Sequence, residues 1–367
     1  MDYQKRRQQI QSLLETHNID AYLVTDFYNI LYLTGFKTLS PHEKEAKLVV
    51  TQDTVYFITD TRYQTEAMQH FRNNEDIKVM IQGPHRTFLQ IFADIIAERT
   101  IYKLGFEKYD LSYAWFEYLQ KALPKLKVVP CTNIIMQLRN QKDEHELERM
   151  RRAAEYTDEC LKSIVPYLKQ GVHETEIIHK MEDWLREKSL EFSFEPIVAF
   201  DDHTALPHYN NKMSDGVLSE NSIVLIDIGI RYKDYCSDIT RMFFVREPSE
   251  DQKKAYDELL SIQKKTIDSI YLNIKMEDID AVARQWLLNK GYPTIPHSTG
   301  HGVGLEVHEG IRAARTVTET LQNNMVLTIE PGIYYESKWG MRIEDTVAFI
   351  DGQAETLTKF PKELTVL

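Results

Sequence analysis

Residues 222–245 read SIVLIDIGIRYKDYCSDITRMFFV, two apolar runs separated by a short polar stretch. Both runs are rich in Ile, Val and Phe, and the RYKD between them has turn composition, so the segment is expected to fold as a β-hairpin. Centring the turn on Tyr232 and Lys233 sets Asp227 directly opposite Asp238. Side chains alternate along a strand, so Val224, Ile226 and Ile228 take one face and the two carboxylates take the other. Opposed residues have Cβ atoms about 4.5–5.5 Å apart, and like charges at that distance destabilise a sheet. A buried charge must be paired, metal-bound or neutralised, and a divalent cation is the simplest compensation for two.

A second pair of the same kind stands in TIEPGIYYESKWGMRIEDTV, residues 328–347. Pairing about Ser337 sets Glu330 opposite Glu344, with Pro331, which cannot donate to a ladder, beside the first of them. Between the two pairs lies IPHSTGHGVGLEVHEG, residues 295–310, holding His297, His301 and His308. Gly300, Gly302 and Gly304 argue against a helix there and allow close backbone approach to a ligand. Histidine supplies a neutral nitrogen ligand or a proton carrier near pH 7. One nitrogen and four carboxylates make a hard, oxygen-rich site suited to Mn²⁺, Co²⁺ or Zn²⁺. Two ions about 3.5–4 Å apart, clamped by shared carboxylates, are a recurrent hydrolytic arrangement.

The whole chain bounds these readings. Its 367 residues exceed the size at which one core usually keeps growing, so two domains are expected. Residues 1–139 alternate helical and strand patterns and read as an α/β unit. Residues 140–367 begin with a long charged helix in which Leu147, Met150, Ala154, Leu161 and Ile164 recur at helical spacing, and read as α+β. Strands are expected from about Phe192 to Tyr209. A net charge of −12 without basic clusters excludes a nucleic-acid footprint. No apolar run approaches bilayer length, so no membrane association is expected. Cys131, Cys160 and Cys236 are too few and scattered for a disulfide framework, which points to free thiols and a cytoplasmic location.

Taken together, FEPIVAF, ALPHY, VLIDIG, YCSDITR, HSTGHGVGLEVHE, TIEPGIY and MRIEDTV resemble, in order and spacing, the superfamily containing methionine aminopeptidase, aminopeptidase P, prolidase and creatinase. NILYLTGF and FITDTRY resemble the creatinase-like N-terminal domain of its proline-specific branch. The resemblance implies a C-terminal pita-bread metallopeptidase domain preceded by a smaller α/β domain. It implies two divalent ions, Mn²⁺ foremost, on Asp227, Asp238, His301, Glu330 and Glu344. Glu330, His208 and His308 would be catalytic. His208, His297, His308 and Arg342 would serve substrate binding, Arg342 from behind the ligands. The implied reaction is hydrolysis of the Xaa-Pro bond in small peptides, as an aminopeptidase or a dipeptidase, by a homodimer. Methionine aminopeptidase activity and a catalytically dead binding module are the alternatives. Ser298 and the loop FDDHTALPHY depart from the commonest family pattern, and the second departure bears on substrate reach.

Overall fold

The computed structural model describes residues 1–132 and 134–367 and divides the chain into two compact units, Met1–Arg139 and Asn140–Leu367. The first unit runs α1 (Tyr3–Thr16), β1 (Ala21–Val24), α2 (Phe27–Thr34), β2 (Ala46–Val50), β3 (Val55–Asp60), α3 (Gln64–His70), β4 (Ile77–Gln82), α4 (Phe88–Arg99), β5 (Lys103–Glu107), α5 (Tyr113–Ala122), β6 (Lys127–Cys131) and α6 (Ile134–Asn140). Its mixed sheet has the order β4-β3-β2-β1-β5-β6. Fully buried β1 and β2, reading AYLV and AKLVV, occupy the middle, as near-continuous apolar strands must. Ile91, Phe92 and Ile95 of α4 pack on one face of this sheet with Leu104 and Leu119.

The second unit begins with α7 (Glu144–Ile164), whose capping box joins Asp143 to Glu146, and α8 (Glu174–Lys188). Then come β7 (Glu191–Phe192), β8 (Ile197–Phe200), β9 (Ile223–Ile228), β10 (Ile230–Tyr232), β11 (Tyr235–Cys236) and β12 (Ile239–Phe244). Helices α9 (Glu250–Asp268) and α10 (Met276–Asn289) follow. The chain finishes with β13 (Gly300–His301), β14 (Arg312–Ala313), β15 (Met325–Ile329), β16 (Gly332–Tyr335), β17 (Trp339–Arg342), β18 (Asp345–Ile350) and β19 (Gln353–Thr356). Helices α7 and α8 share a core with β8, β9 and β12, where Val224, Ile226 and Ile228 pack against Leu161, Ile177 and Met181. Ile267, Met276 and Ile279 of the second helix pair pack against Leu327, Val347 and Phe349 of β15 and β18.

The hairpin of residues 222–245 forms, with a register two residues from that expected. Tyr232 pairs with Tyr235 and Asp227 with Thr240, so the turn is centred on Lys233 and Asp234. Both residues have positive φ, 46° and 75°, as a two-residue hairpin turn matching the strand twist requires. A shift of two leaves every side chain on its face, and Asp227 and Asp238 still share one. The second hairpin has the expected register: Ile329 pairs with Asp345, and Gly332 with Arg342. Pro331 interrupts the ladder between these pairs, at the level of Glu330 and Glu344. The segment from 201 to 209 is not a strand. A 3-10 turn, Asp201–Ala205, leads into an irregular strap, because the carboxylates of Asp201 and Glu174 take up backbone N–H groups that a ladder would otherwise use.

Gly229 sits where β9 bends into β10, and a Cβ there would lie 2.1 Å from the carbonyl oxygen of Ser237. Backbone cannot yield as a flexible side chain would. Gly229→Ala is therefore predicted to destabilise the second unit by at least about 1–3 kcal/mol, the usual scale of overpacking. Thermal unfolding of the variant beside the parent protein tests this, and an unchanged midpoint would refute the close approach.

Candidate metal centre

One strand and the breaks beside others deliver the acidic side chains. Asp227 comes from β9, Asp238 from the step between β11 and β12, His301 from β13, Glu330 from the end of β15, and Glu344 from between β17 and β18. Asp238, His301 and Glu344 each present a donor atom within 4.8 Å of the others. Glu330 stands beside them, with Oε1 3.4 Å from His301 Nε2. Asp227 lies outside that close set. Its Oδ2 accepts from Arg342 Nη2 at 2.6 Å, while its Oδ1 is buried with no hydrogen-bond partner among the described residues. An unsatisfied buried acceptor costs about 1–3 kcal/mol, so an atom aimed into a cavity without a protein donor is itself a sign of a ligand.

These five residues line one cavity of about 530 Å³ together with His208, His297, His308 and Arg342. All nine side chains singled out in the sequence thus face a common space. Burial is the main force on their protonation. It drives Asp238 and Glu344 well above the ordinary carboxylate range, reinforced by the neighbouring carboxylates. It lifts Glu330 to about 7. Asp227 is raised too, burial outweighing the attraction of Arg342. The imidazoles move the other way: burial, with like charge nearby, lowers His301 to about 3 and His297 to about 4 and also lowers His308. His301 therefore enters neutral pH as a free-base ligand. Oxygen donors around one neutral nitrogen, and an acceptor oxygen with no partner among the described residues, fit divalent metal ions.

Behind the ligands Arg342 organises the site. Besides Asp227, it donates to Thr240 Oγ1 at 2.9 Å and to Tyr334 Oη at 2.9 Å, and Thr240 Oγ1 donates to Glu344 Oε2 at 2.6 Å. Tyr334 Oη is 3.0 Å from His297 Nε2. Each of the three other histidines sits on a segment fixed by a buried carboxylate. Asp280 accepts from Thr299 Oγ1 at 2.7 Å and pairs with Arg284, which donates to the carbonyl of His297 at 2.8 Å. Glu309, next to His308, pairs with buried Lys142 at 3.0 Å. Glu174 holds the strap carrying His208.

Sequence reasoning passed over Thr240, Tyr334 and Arg312. Thr240 would have followed from the correct hairpin register, which sets it opposite Asp227. Tyr334, in GIYY, alternates onto the same face as Gly332 and Arg342, a weak signal. Arg312 carries none in its composition. It lines the cavity, is exposed, and has no hydrogen-bond or ion-pair partner among the described residues.

Comparison with known proteins agrees with this geometry. The model of metallopeptidase family M24 matches residues 148–350, and that of the creatinase/prolidase N-terminal domain matches residues 6–141. The chain belongs to metallopeptidase family M24. An M24 peptidase of this architecture carries the pita-bread fold and depends on divalent metal. The chain is 31% identical to the uncharacterized peptidase YqhT of Bacillus subtilis over 98% of its length and 99% of the relative's. An Xaa-Pro dipeptidase from Bacillus anthracis superposes with a TM-score of 0.91 at 30% identity, covering 100% of both chains. An X-Pro aminopeptidase from Thermotoga maritima superposes at 0.87 and 29% identity, covering 98% of this chain and 99% of that one. Among the described residues no helix is long and apolar enough to cross a membrane.

Because burial raises the carboxyls of Asp238, Glu344 and Glu330, the last to about 7, and lowers His301 to about 3, metal binding near neutral pH is predicted to displace protons from carboxyls rather than from His301. Apparent affinity should then rise with pH. Calorimetric titration of the chelated protein with Mn²⁺ in two buffers of different ionisation enthalpy measures the protons released; identical heats in both buffers would sink the prediction.

Proposed function

We propose that this chain is a metal-dependent Xaa-Pro peptidase whose ligands are Asp227, Asp238, His301, Glu330 and Glu344. The observation that carries the proposal is the convergence of these five on one cavity, with one oxygen of Asp227 buried and without a hydrogen-bond partner among the described residues. Proline specificity draws support from the likeness to solved proteins named for Xaa-Pro cleavage, across essentially the whole chain. Two divalent ions, Mn²⁺ by preference, would supply Lewis acidity and activate water for attack on the scissile carbonyl.

The chain's own residues do the rest. Glu330, with Oε1 3.4 Å from His301 Nε2 at the rim of the ligand set, is placed to carry the attacking water's proton to the leaving proline nitrogen. His308, kept neutral by burial and by Arg312, can donate a ring N–H to the developing oxyanion, and His208 faces the same space. His297 is held by Ser298 and Tyr334, with Nδ1 3.7 Å from Glu330 Oε2, and shapes the wall beside the proton carrier. Arg342 fixes Asp227 and the strap carbonyl of Pro207 at once. A cytoplasmic location, supported by three buried unpaired cysteines, belongs to the same reading, as does the homodimer, which rests on the resemblance alone.

Between dipeptidase and aminopeptidase, Arg312 favours the first. A guanidinium on the cavity wall, without a partner among the described residues, matches the free carboxylate that a dipeptide presents one residue beyond the scissile bond. The metal-loaded protein is expected to cleave Ala-Pro in preference to Ala-Pro-Ala. Arg312→Ala should raise KM for Ala-Pro about tenfold or more, in keeping with loss of a charged hydrogen bond, while leaving Ala-Pro-amide unaffected. Equal losses on both substrates would remove Arg312 from carboxylate recognition. Inactivity towards every proline peptide would overturn the function itself.

A further inference from the structure

His208 lies midway along the irregular strap from 201 to 217, exposed, with no hydrogen-bond partner among the described residues. Nothing in its own side chain fixes it against the cavity, so the strap backbone must. That backbone converges on Glu174, the first residue of α8 and 0% exposed. Glu174 Oε1 accepts from Phe200 N at 2.7 Å and from His203 Nδ1 at 2.9 Å; Oε2 accepts from Tyr209 Oη at 2.7 Å and from Gly216 N at 2.6 Å. A carboxylate offers about four lone-pair sites, and this one is filled from a single strap at its entry, middle and exit. Tyr209 is the residue after His208, and its ring stacks on that of His203 with centroids 4.4 Å apart. His203 satisfies both its ring nitrogens with Nδ1 donating to Glu174 and Nε2 facing Ser214 Oγ at 3.3 Å. At Gly216 a Cβ would stand 2.8 Å from Glu174 Oε1, so the strap closes on the carboxylate without slack. The α8 N-terminus favours an anion in its first turn.

We propose that Glu174 is the positioning residue for His208, holding the strap so that the imidazole faces the reacting groups while touching neither substrate nor metal itself. This rests on the reading of His208 as a substrate-contacting residue. Nearly all of its effect on the reaction should therefore pass through that one side chain.

A double-mutant cycle on the intact metal-loaded protein tests this. Glu174→Gln keeps the volume but turns an amide NH₂ towards the strap's donors. In the parent background it should lower kcat/KM for Ala-Pro about tenfold or more, as small misplacements in active sites do, chiefly in kcat. In a His208→Ala background the same change should cost less than about twofold, because its route is already gone. Hydrogen exchange should rise across residues 200–216, with Mn²⁺ affinity by calorimetry unchanged. Should Glu174→Gln fail to fold, Tyr209→Phe removes one of the four donors and runs the same cycle with a smaller loss of about threefold. Equal losses in both backgrounds, no loss, or weakened metal affinity would overturn the proposal alone, provided the parent protein is active and His208→Ala impairs it. Full activity of His208→Ala, or a parent protein inactive on proline peptides, overturns the underlying reading and this proposal with it.

Discussion

Repulsion among Asp227, Asp238, Glu330 and Glu344, in a setting too buried for water to screen, is the constraint around which the second unit is built. Arg342 answers only part of it, and it answers from the side, by claiming one oxygen of Asp227. The remaining charge is met either by protons, which is why burial drives these carboxyls upward, or by divalent cations. The fold keeps the carboxylates close anyway, because the strands that carry them are locked by apolar cores on their other faces. Val224, Ile226 and Ile228 are buried among helices α7 and α8, and turning Asp227 away would expose them. Hydrophobic burial therefore holds in place an arrangement that electrostatics alone would disperse.

Around that cluster the three other cavity histidines follow a common plan with independent supports. His208, His297 and His308 approach from three separate irregular segments, and a buried acidic residue, Glu174, Asp280 or Glu309, anchors each. Irregular backbone supplies the reach that regular strands lack, and the buried carboxylates restore the precision that irregular backbone gives up. Asp345 does comparable work beneath the ligands. Burial acts to raise its carboxyl, yet Arg241 and Lys362 hold it below its ordinary range, whereas burial and neighbouring carboxylates push the adjacent Glu344 well above its own. Adjacent carboxylates thus take opposite roles, one fixing structure and one facing the cavity.

Much of the candidate metal centre could be read in the chain because its carboxylates sit in or beside paired strands, where alternation and pairing are decided by local pattern. The register linking Glu330 with Glu344 followed from symmetry about Ser337. The first hairpin was misplaced by two residues because Lys233 occupies a turn position usually marked by Asn or Gly, so the chemical cue for the turn was missing. The ligand face survived since a two-residue slip preserves alternation. The strap from 201 to 217, Arg312 and the anchoring carboxylates were beyond pattern. Their roles arise from contacts between residues far apart in sequence, such as Glu174 with Gly216, and no local periodicity encodes those. In the first unit α2 and α3, eight and seven residues long, are each too short for a helical period to emerge from the sequence.

The gap that Pro331 opens in the second hairpin has a wider effect. Freed from pairing with one another, the amide of Glu330 donates to the carbonyl of Thr299 at 2.8 Å and that of Glu344 to the carbonyl of Thr240 at 3.3 Å. The two glutamates are thereby sewn to the histidine segment and to the first hairpin, across as much as a hundred residues of chain. An ion bound there grips the first hairpin, the histidine loop and the last strands simultaneously. Its binding energy is then inseparable from the folding energy of the whole unit. A metal held by these residues would serve as a keystone as well as a reagent, and a chain in which either half had gone astray would have nowhere to put it.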